Sequence, residues 1–163
     1  VLVPVGPEHV EPLARIIDEP SIARWWSDTS SWVRRRLLEP GQDVIGLAIV
    51  ALPERDVIGY LQAWEELDPD FRHAGIDLFV TTDRQGRGYG PDAIRTAIRW
   101  LIEERGHHRI TIDPAAENVR AIRAYEKVGF RRVGVLRRYQ RLLDGTWHDG
   151  LLMDLLAGEL SPD

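Results

Sequence analysis

Cysteine is missing from this 163-residue chain, and with it go disulfides, thiolate nucleophiles and Cys-bound metal. Lysine is nearly missing: of 21 basic residues only Lys127 is a Lys, an arginine bias from which no function is read. No apolar run approaches the roughly 20 residues that span a bilayer. No basic, apolar leader opens the chain, so the expected setting is the cytoplasm, with no membrane partner. The five His, at positions 9, 73, 107, 108 and 148, lack ligand spacing such as H-x-x-x-H, and no metal is expected. Basic excess is lacking too. A net charge of −5 argues against a nucleic-acid partner and suits a cationic one. Repeats, linkers and low-complexity tracts are absent, so one domain over 1–163 is expected.

What is present centres on Ala74 to Arg99. Ala74-Gly75-Ile76-Asp77-Leu78-Phe79-Val80 is a short apolar run with one carboxylate inside it. The loop Gln85-Gly86-Arg87-Gly88-Tyr89-Gly90 and Pro91 follow. Ile94, Ala97, Ile98, Leu101 and Ile102 then repeat as one helix face. The unit reads strand, glycine loop, helix, with Pro91 suited to the first helical position. Such a loop offers backbone N–H groups and a helix dipole to a phosphate. The alternative is a glycine turn that only packs a strand against a helix. The glycines at 86, 88 and 90 miss the dinucleotide spacing, and Gly90 is followed by Pro91-Asp92 rather than Lys-Ser/Thr, so neither a Rossmann fingerprint nor a P-loop fits.

The flanking chain reads as follows. Leu2 to Val5 is a strand, Glu8 to Asp18 a helix broken by Pro20, and Trp32 to Leu38 a further helix before Pro40-Gly41. Between the helices, Trp25-Trp26 cannot both face one core from a helix. Either both are packing residues or one of them lines a site. Val44 to Leu52 and Val57 to Trp64 form a hairpin. Glu65-Glu66-Leu67-Asp68-Pro69-Asp70 is an acidic loop, either a solvated surface or a lip for a cation. His107-His108 read as helix C-terminal partners rather than ligands. Arg109 to Asp113 is a short strand, and Asn118 caps a helix running to Val128. Arg131 to Leu142 and Trp147 to Leu156 pair around Asp144-Gly145. From Gly158 the tail is expected to fray.

Two motifs, Gln85-x-x-Gly88-x-Gly90 and Asn118-x-x-Ala121-x-x-x-Tyr125-Glu126-Lys127-x-Gly129-Phe130, resemble those of the GCN5-related N-acetyltransferases. The resemblance implies an α/β (α+β) fold. Its mixed, mostly antiparallel sheet of six to seven strands is splayed at strands 4 and 5 and flanked by helices. Acetyl-CoA is the implied co-substrate, its pantetheine arm paired along strand 4. Within that superfamily, Trp25-Trp26, Ile58-Gly59-Tyr60, Ala74 to Phe79, Ile112-Asp113-Pro114 and Ala121 to Lys127 are similar to the aminoglycoside 6′-N-acetyltransferases. The sequence departs from that group at Ala63-Trp64, where paired tryptophans are usual, and at Leu78, where Gln is usual. That bears on the antibiotic-ring contacts more than on the chemistry.

By this resemblance Asp77 and Tyr125 are the catalytic residues. Leu78, Phe79, Val80, Arg84, Gln85, Gly86, Arg87, Gly88, Tyr89, Gly90 and Asn118 bind the cofactor. Trp25, Trp26, Trp64, Glu65, Asp68, Asp77 and Asp113 receive a polycationic small-molecule amine. The protein is expected as a monomer or homodimer.

The chemistry leaves several roles open. An alkyl amine of pKa near 10.4 costs about 4.6 kcal/mol to present as free base at pH 7. A nearby carboxylate raises that pKa, so Asp77 either takes the proton through water during attack or only holds the cation. A third reading leaves it as a solvent-facing residue of an edge strand. Tyr125 either packs in the core or donates to the departing thiolate, and Asn118 reads first as a helix cap. Arg84 and Arg87 flank the loop within reach of pyrophosphate or 3′-phosphate. Rival functions are a siderophore lysine or ornithine acyltransferase, a protein N-terminal acetyltransferase, and a non-catalytic acyl-CoA sensor.

Overall fold

A computed structural model describes residues 1–27, 29–38 and 44–160. Seven strands form one sheet: β1 (Leu2–Pro4), β2 (Val44–Ala51), β3 (Asp56–Glu66), β4 (His73–Val80), β5 (Arg109–Ile112), β6 (Arg131–Arg141) and β7 (Trp147–Leu156). Their order is β1-β2-β3-β4-β5-β7-β6. Every pairing is antiparallel except β4 with β5. The helices are α1 (Pro7–Ile17), α2 (Pro20–Ala23), α3 (Ser30–Leu38), α4 (Tyr89–Glu103) and α5 (Val119–Val128). Among the described residues no helix is long and apolar enough to cross a membrane.

Apolar stripes decide which helix covers which face of the sheet. On α4, Ile94, Ala97, Ile98 and Leu101 are buried, and on α5 Ile122, Tyr125 and Val128. They join Ala63, Ala74, Ile76, Ile110, Ile112, Met153 and Leu155 in the largest core cluster. Side chains alternate along a strand, so Gly75, Asp77 and Phe79 look the other way. Phe79 and Tyr60 meet Leu13 and Ile17 of α1, Val33 of α3, and Trp26. Burying each such aliphatic side chain contributes roughly 1.5–3 kcal/mol, which fixes the helices to their faces.

Several elements depart from their sequence-based bounds. β3 runs two residues past Trp64, so Glu65 and Glu66 are strand residues and the acidic loop starts at Leu67. α4 begins at Tyr89, two residues before Pro91. Pro91 still falls in the first turn, where N–H groups have no intrahelical partner. Pro20 breaks α1 by opening α2. The helix stop read at Pro40-Gly41 lies outside the described residues. β4 is an interior strand, flanked by β3 and β5, which removes the edge-strand reading of Asp77.

The feature that makes a site is the shortness of the β4–β5 pairing. Only Ala74↔Ile110 and Gly75↔Thr111 are matched, whereas β3 follows β4 as far as Gly59↔Val80. Beyond Gly75 the sheet parts.

Candidate active site

The parting opens a cavity of about 880 Å³ between β4, the glycine loop and α5. Leu78, Phe79 and Val80 form its floor, and Gln85, Gly86, Gly88 and Gly90 one wall. Asn118, Ala121, Ala124 and Tyr125 form another, and Trp25 and Trp26 close the third side. Among the described residues no Asp or Glu lines the cavity.

The loop is built for close backbone approach. Gly86 and Gly88 have φ of +75° and +88°, the left-handed region where side chains are strained. Gly88 is the N-cap of α4, so the first N–H groups of that helix face a wall of the cavity. A Cβ added at either glycine would meet nothing within 4 Å. The space beside the loop is open, as a phosphate needs. Gln85 anchors the base of the loop: its Nε2 donates to the Val80 carbonyl at 2.6 Å, and its Oε1 accepts from Arg120 of α5.

Four groups from four places in the fold gather at Tyr125, the one of them that lines the cavity. Tyr125 of α5 is buried. Its pKa is pushed up by burial first, then by the charges of Asp77 and Asp113. Asp77 sits in β4 opposite Gln62 of β3, and its Oδ1 accepts from the Leu78 N–H at 2.9 Å. Asp113 follows β5 directly, and its Oδ2 accepts from the Tyr139 hydroxyl at 2.7 Å. Burial raises the Asp113 pKa, and the Tyr139 hydrogen bond works against that rise. Tyr139 itself is pushed up to about 12, by burial, by its bond to Asp113, and by the Asp113 and Asp77 charges.

Tyr139 was not singled out by the sequence. It stands at a register shift of β6 between Leu136 and Gln140, where Arg138 takes φ 49° and donates its N–H to Asp149 at 2.7 Å. Its ring crosses β7 over Gly150, where an added Cβ would come within 2.8 Å of it. A bulge in one strand and a glycine in the next thus carry a β6 hydroxyl to the end of β5.

A family model described as an acetyltransferase (GNAT) domain matches residues 1–131. The chain belongs to that family. Aminoglycoside N(6′)-acetyltransferase type 1 of Klebsiella pneumoniae is 34% identical over 99 residues, which are 53% of this chain and 48% of that protein. The kanamycin resistance protein of Rhizobium radiobacter is 40% identical over 73 residues, 44% of this chain and 66% of that one. The chain thus spans about half the length of the Klebsiella relative. A solved structure of AAC(6′)-Ib in complex with ribostamycin and coenzyme A matches at a TM-score of 0.76 and 24% identity, covering 98% of this chain and 94% of that one. At that identity the likeness is one of GNAT fold.

Several residues expected at the site stand elsewhere. Arg84 turns from the cavity to Asp56 (3.1 Å) and Asp83 (3.7 Å), because the short 3₁₀ turn at Thr82–Arg84 aims it at the β2–β3 hairpin. Tyr89 packs with Val1, Leu2 and Ala51 on the far side of α4, and only its backbone belongs to the loop. Arg87 is exposed and does not line the cavity. Glu65 faces the α4 side of the sheet, where Arg105 (2.7 Å) and His107 (2.7 Å) hold it. Those hydrogen bonds, Arg105 foremost, bring its pKa down to about 2. A carboxylate so engaged is unavailable to an acceptor amine. Asp68 is exposed in the loop, accepting from the Asp70 N–H at 2.9 Å, away from the four-group cluster.

Trp64 does share the face of Asp77. It lies over Gly75 and meets His73 edge-on at 5.1 Å. Trp25 and Trp26 follow α2 rather than sitting in a helix, so adjacent rings can both reach the cavity wall. Trp26 is buried edge-on against Phe79 at 5.1 Å, and Trp25 is half-buried under Arg24. Asn118 is the cap of α5, accepting from the Ala121 N–H at 3.2 Å, and also lines the cavity. Among the described residues no group of three His, Cys, Asp or Glu is placed to hold a metal ion.

Proposed function

We propose that the chain is an acetyl-CoA-dependent N-acetyltransferase acting on a polycationic amine, specifically the 6′-amine of an aminoglycoside. One observation carries the reading. Asp77 and Asp113 bear on one buried phenol, Tyr125, which lines a cavity with no carboxylate among its described lining residues. An anionic thioester and a cationic amine thereby have separate, charge-matched berths meeting at one point. The named aminoglycoside relatives support the acceptor class.

The donor suits the residues present. The positive-φ glycines and the α4 N-terminus suit a pyrophosphate. The open edge of β4 beyond Gly75 suits an amide-bearing arm. When bound, acetyl-CoA supplies an activated acetyl group as a thioester. Asp77 and Asp113 attract the ammonium, and Trp64 offers a flat face to a sugar ring. The ammonium must first lose one proton to solvent to expose its lone pair; as the C–N bond forms and the C–S bond breaks, Asp77 would accept the second nitrogen proton through water. Tyr125 stays neutral at every working pH, since its pKa lies above its ordinary value. A thiolate of pKa about 8.5 is the weaker base. Tyr125 would therefore hydrogen-bond the departing thiolate, which takes its proton from water, rather than surrender its own.

The test is thiol release from acetyl-CoA with kanamycin, spermidine or N-hydroxylysine, followed by mass and NMR assignment of the product. Release with kanamycin and a 6′-N-acetyl product is expected. Turnover confined to another amine would overturn the acceptor assignment. CoA binding without turnover on any amine would make the chain a sensor.

A further inference from the structure

The outer part of the cavity is cationic in a chain that is not. α5 presents Arg120, Arg123 and Lys127 to it, and α4 presents Arg95. Positions 120, 123 and 127 form one stripe of a helix. The whole chain has 26 Asp and Glu against 21 Lys and Arg, yet among the described residues no acid lines this cavity. Arg120 is engaged with Gln85, and Arg95 Nη2 donates to the Lys127 carbonyl at 3.3 Å, closing α4 onto the end of α5. Arg123 and Lys127 are exposed, and neither side chain has an ion-pair or hydrogen-bond partner among the described residues. Like charges one turn apart repel, so this arrangement costs α5 stability until an anion lies between them.

We infer that Arg123 and Lys127, with Arg95 facing them from α4, bind the ribose 3′-phosphate of CoA and make the domain select CoA over dephospho-CoA. The inference rests on the acetyl-CoA reading above. That ligand carries two separate anionic groups. The glycine loop, through backbone N–H groups and the helix dipole, suits the pyrophosphate, which has no need of side-chain cations. A phosphate monoester carries close to two charges at neutral pH and three acceptor oxygens, and calls for side-chain donors. Arg84, turned away to Asp56, does not supply them. The α5 stripe does, from the wall opposite the loop, and its exposure fits a group at the solvent end of the ligand.

Calorimetric titration of the full chain with CoA and with dephospho-CoA tests this. Two charge-assisted contacts should make CoA bind about 10–100-fold tighter than dephospho-CoA. The preference should shrink as salt is raised. R123Q/K127Q, both at exposed positions, should bind the two ligands within about twofold of each other while keeping wild-type affinity for dephospho-CoA. R141Q removes an exposed arginine of β6 outside the cavity lining and should keep the full preference, which separates local contact from net charge. Equal binding of the two ligands by the wild type would overturn the inference. So would a preference that survives R123Q/K127Q. Binding of neither ligand would overturn the acetyl-CoA reading itself, and this inference with it.

Discussion

The two ends of the β4–β5 opening are built on opposite plans. At the outer end, the loop and its helix are contiguous in sequence, the groups offered are backbone N–H and cations, and among the described residues no acid lines the cavity. At the inner end, four side chains come from β4, β5, α5 and β6, and they are two carboxylates and two phenols. A binding site for a large, invariant ligand can be written as one motif, because backbone geometry does most of the recognition. A site for a variable acceptor is assembled from side chains that only the sheet topology brings together. The charge contrast also sorts the ligands. On the proposed reading, the anionic donor would be drawn to one end and the cationic acceptor to the other, without competing for one berth.

The sharpest way to break this contrast is Asp77→Asn, which keeps shape and removes charge and proton acceptor at the inner end alone. We expect kcat to fall about 10²–10⁴-fold, with a smaller rise in acceptor KM and unchanged CoA affinity. The loss should narrow as pH rises and solution supplies more free amine. Steady-state kinetics across pH would show it, and an unchanged kcat would leave Asp77 outside the chemistry.

Gly88→Val strikes the outer end instead. In the free protein the new side chain meets open space, so the fold should survive with only the strain of a β-branched residue at φ +88°. The same side chain would stand where a phosphate must approach. CoA affinity should drop at least about tenfold in calorimetry while circular dichroism stays native, since blocked phosphate contacts are charge-assisted. Affinity equal to wild type would mean the loop is only a packing turn.

Tyr139→Phe is the gentlest test and the most specific. Losing one hydrogen bond to a carboxylate should raise acceptor KM by about 3–10-fold and leave kcat near wild type. The sign of the pH effect is fixed by what Tyr139 does. Its hydrogen bond works against the burial that raises the Asp113 pKa, so removing it lets that pKa climb further. A protonated Asp113 cannot hold a cation, and the acid limb of the kcat/KM profile should therefore move to higher pH. A KM increase with an unmoved acid limb would reduce Tyr139 to a packing residue.

This contrast also governs what could be read from the sequence. The strand-loop-helix unit, the α5 motif and both hairpins were legible, because periodicity and turn residues are local, whereas the mixed sheet of six to seven strands came only with the family resemblance. Asn118 was legible as a cap for the same reason. Arg84 was misplaced because adjacency to a loop says nothing about side-chain direction, and here a 3₁₀ turn reverses it. Glu65 was misplaced because an acidic run looks like a loop. Its partners, Arg105 and His107, lie about forty residues on and hold it in the strand. Tyr139 lies beyond the segment matched by the family model, and its role depends on a bulge and on Gly150, neither of which has a motif. The α5 cations sat inside a recognised motif, but only the cavity lining revealed that they share it with no acid.

The two-couple match between β4 and β5 has a consequence for how the domain holds together. It is a seam between two half-sheets, β1 to β4 on one side and β5, β7 and β6 on the other, which are otherwise joined by the helices packed across them. On the reading proposed above, a ligand lodged in the seam would supply the cross-strand bonding that the chain leaves out. Its occupancy is then part of the fold's own free energy, about 2.7 kcal/mol at a hundred times its Kd. On the acetyl-CoA reading, the stability of the domain should therefore rise with the supply of that ligand.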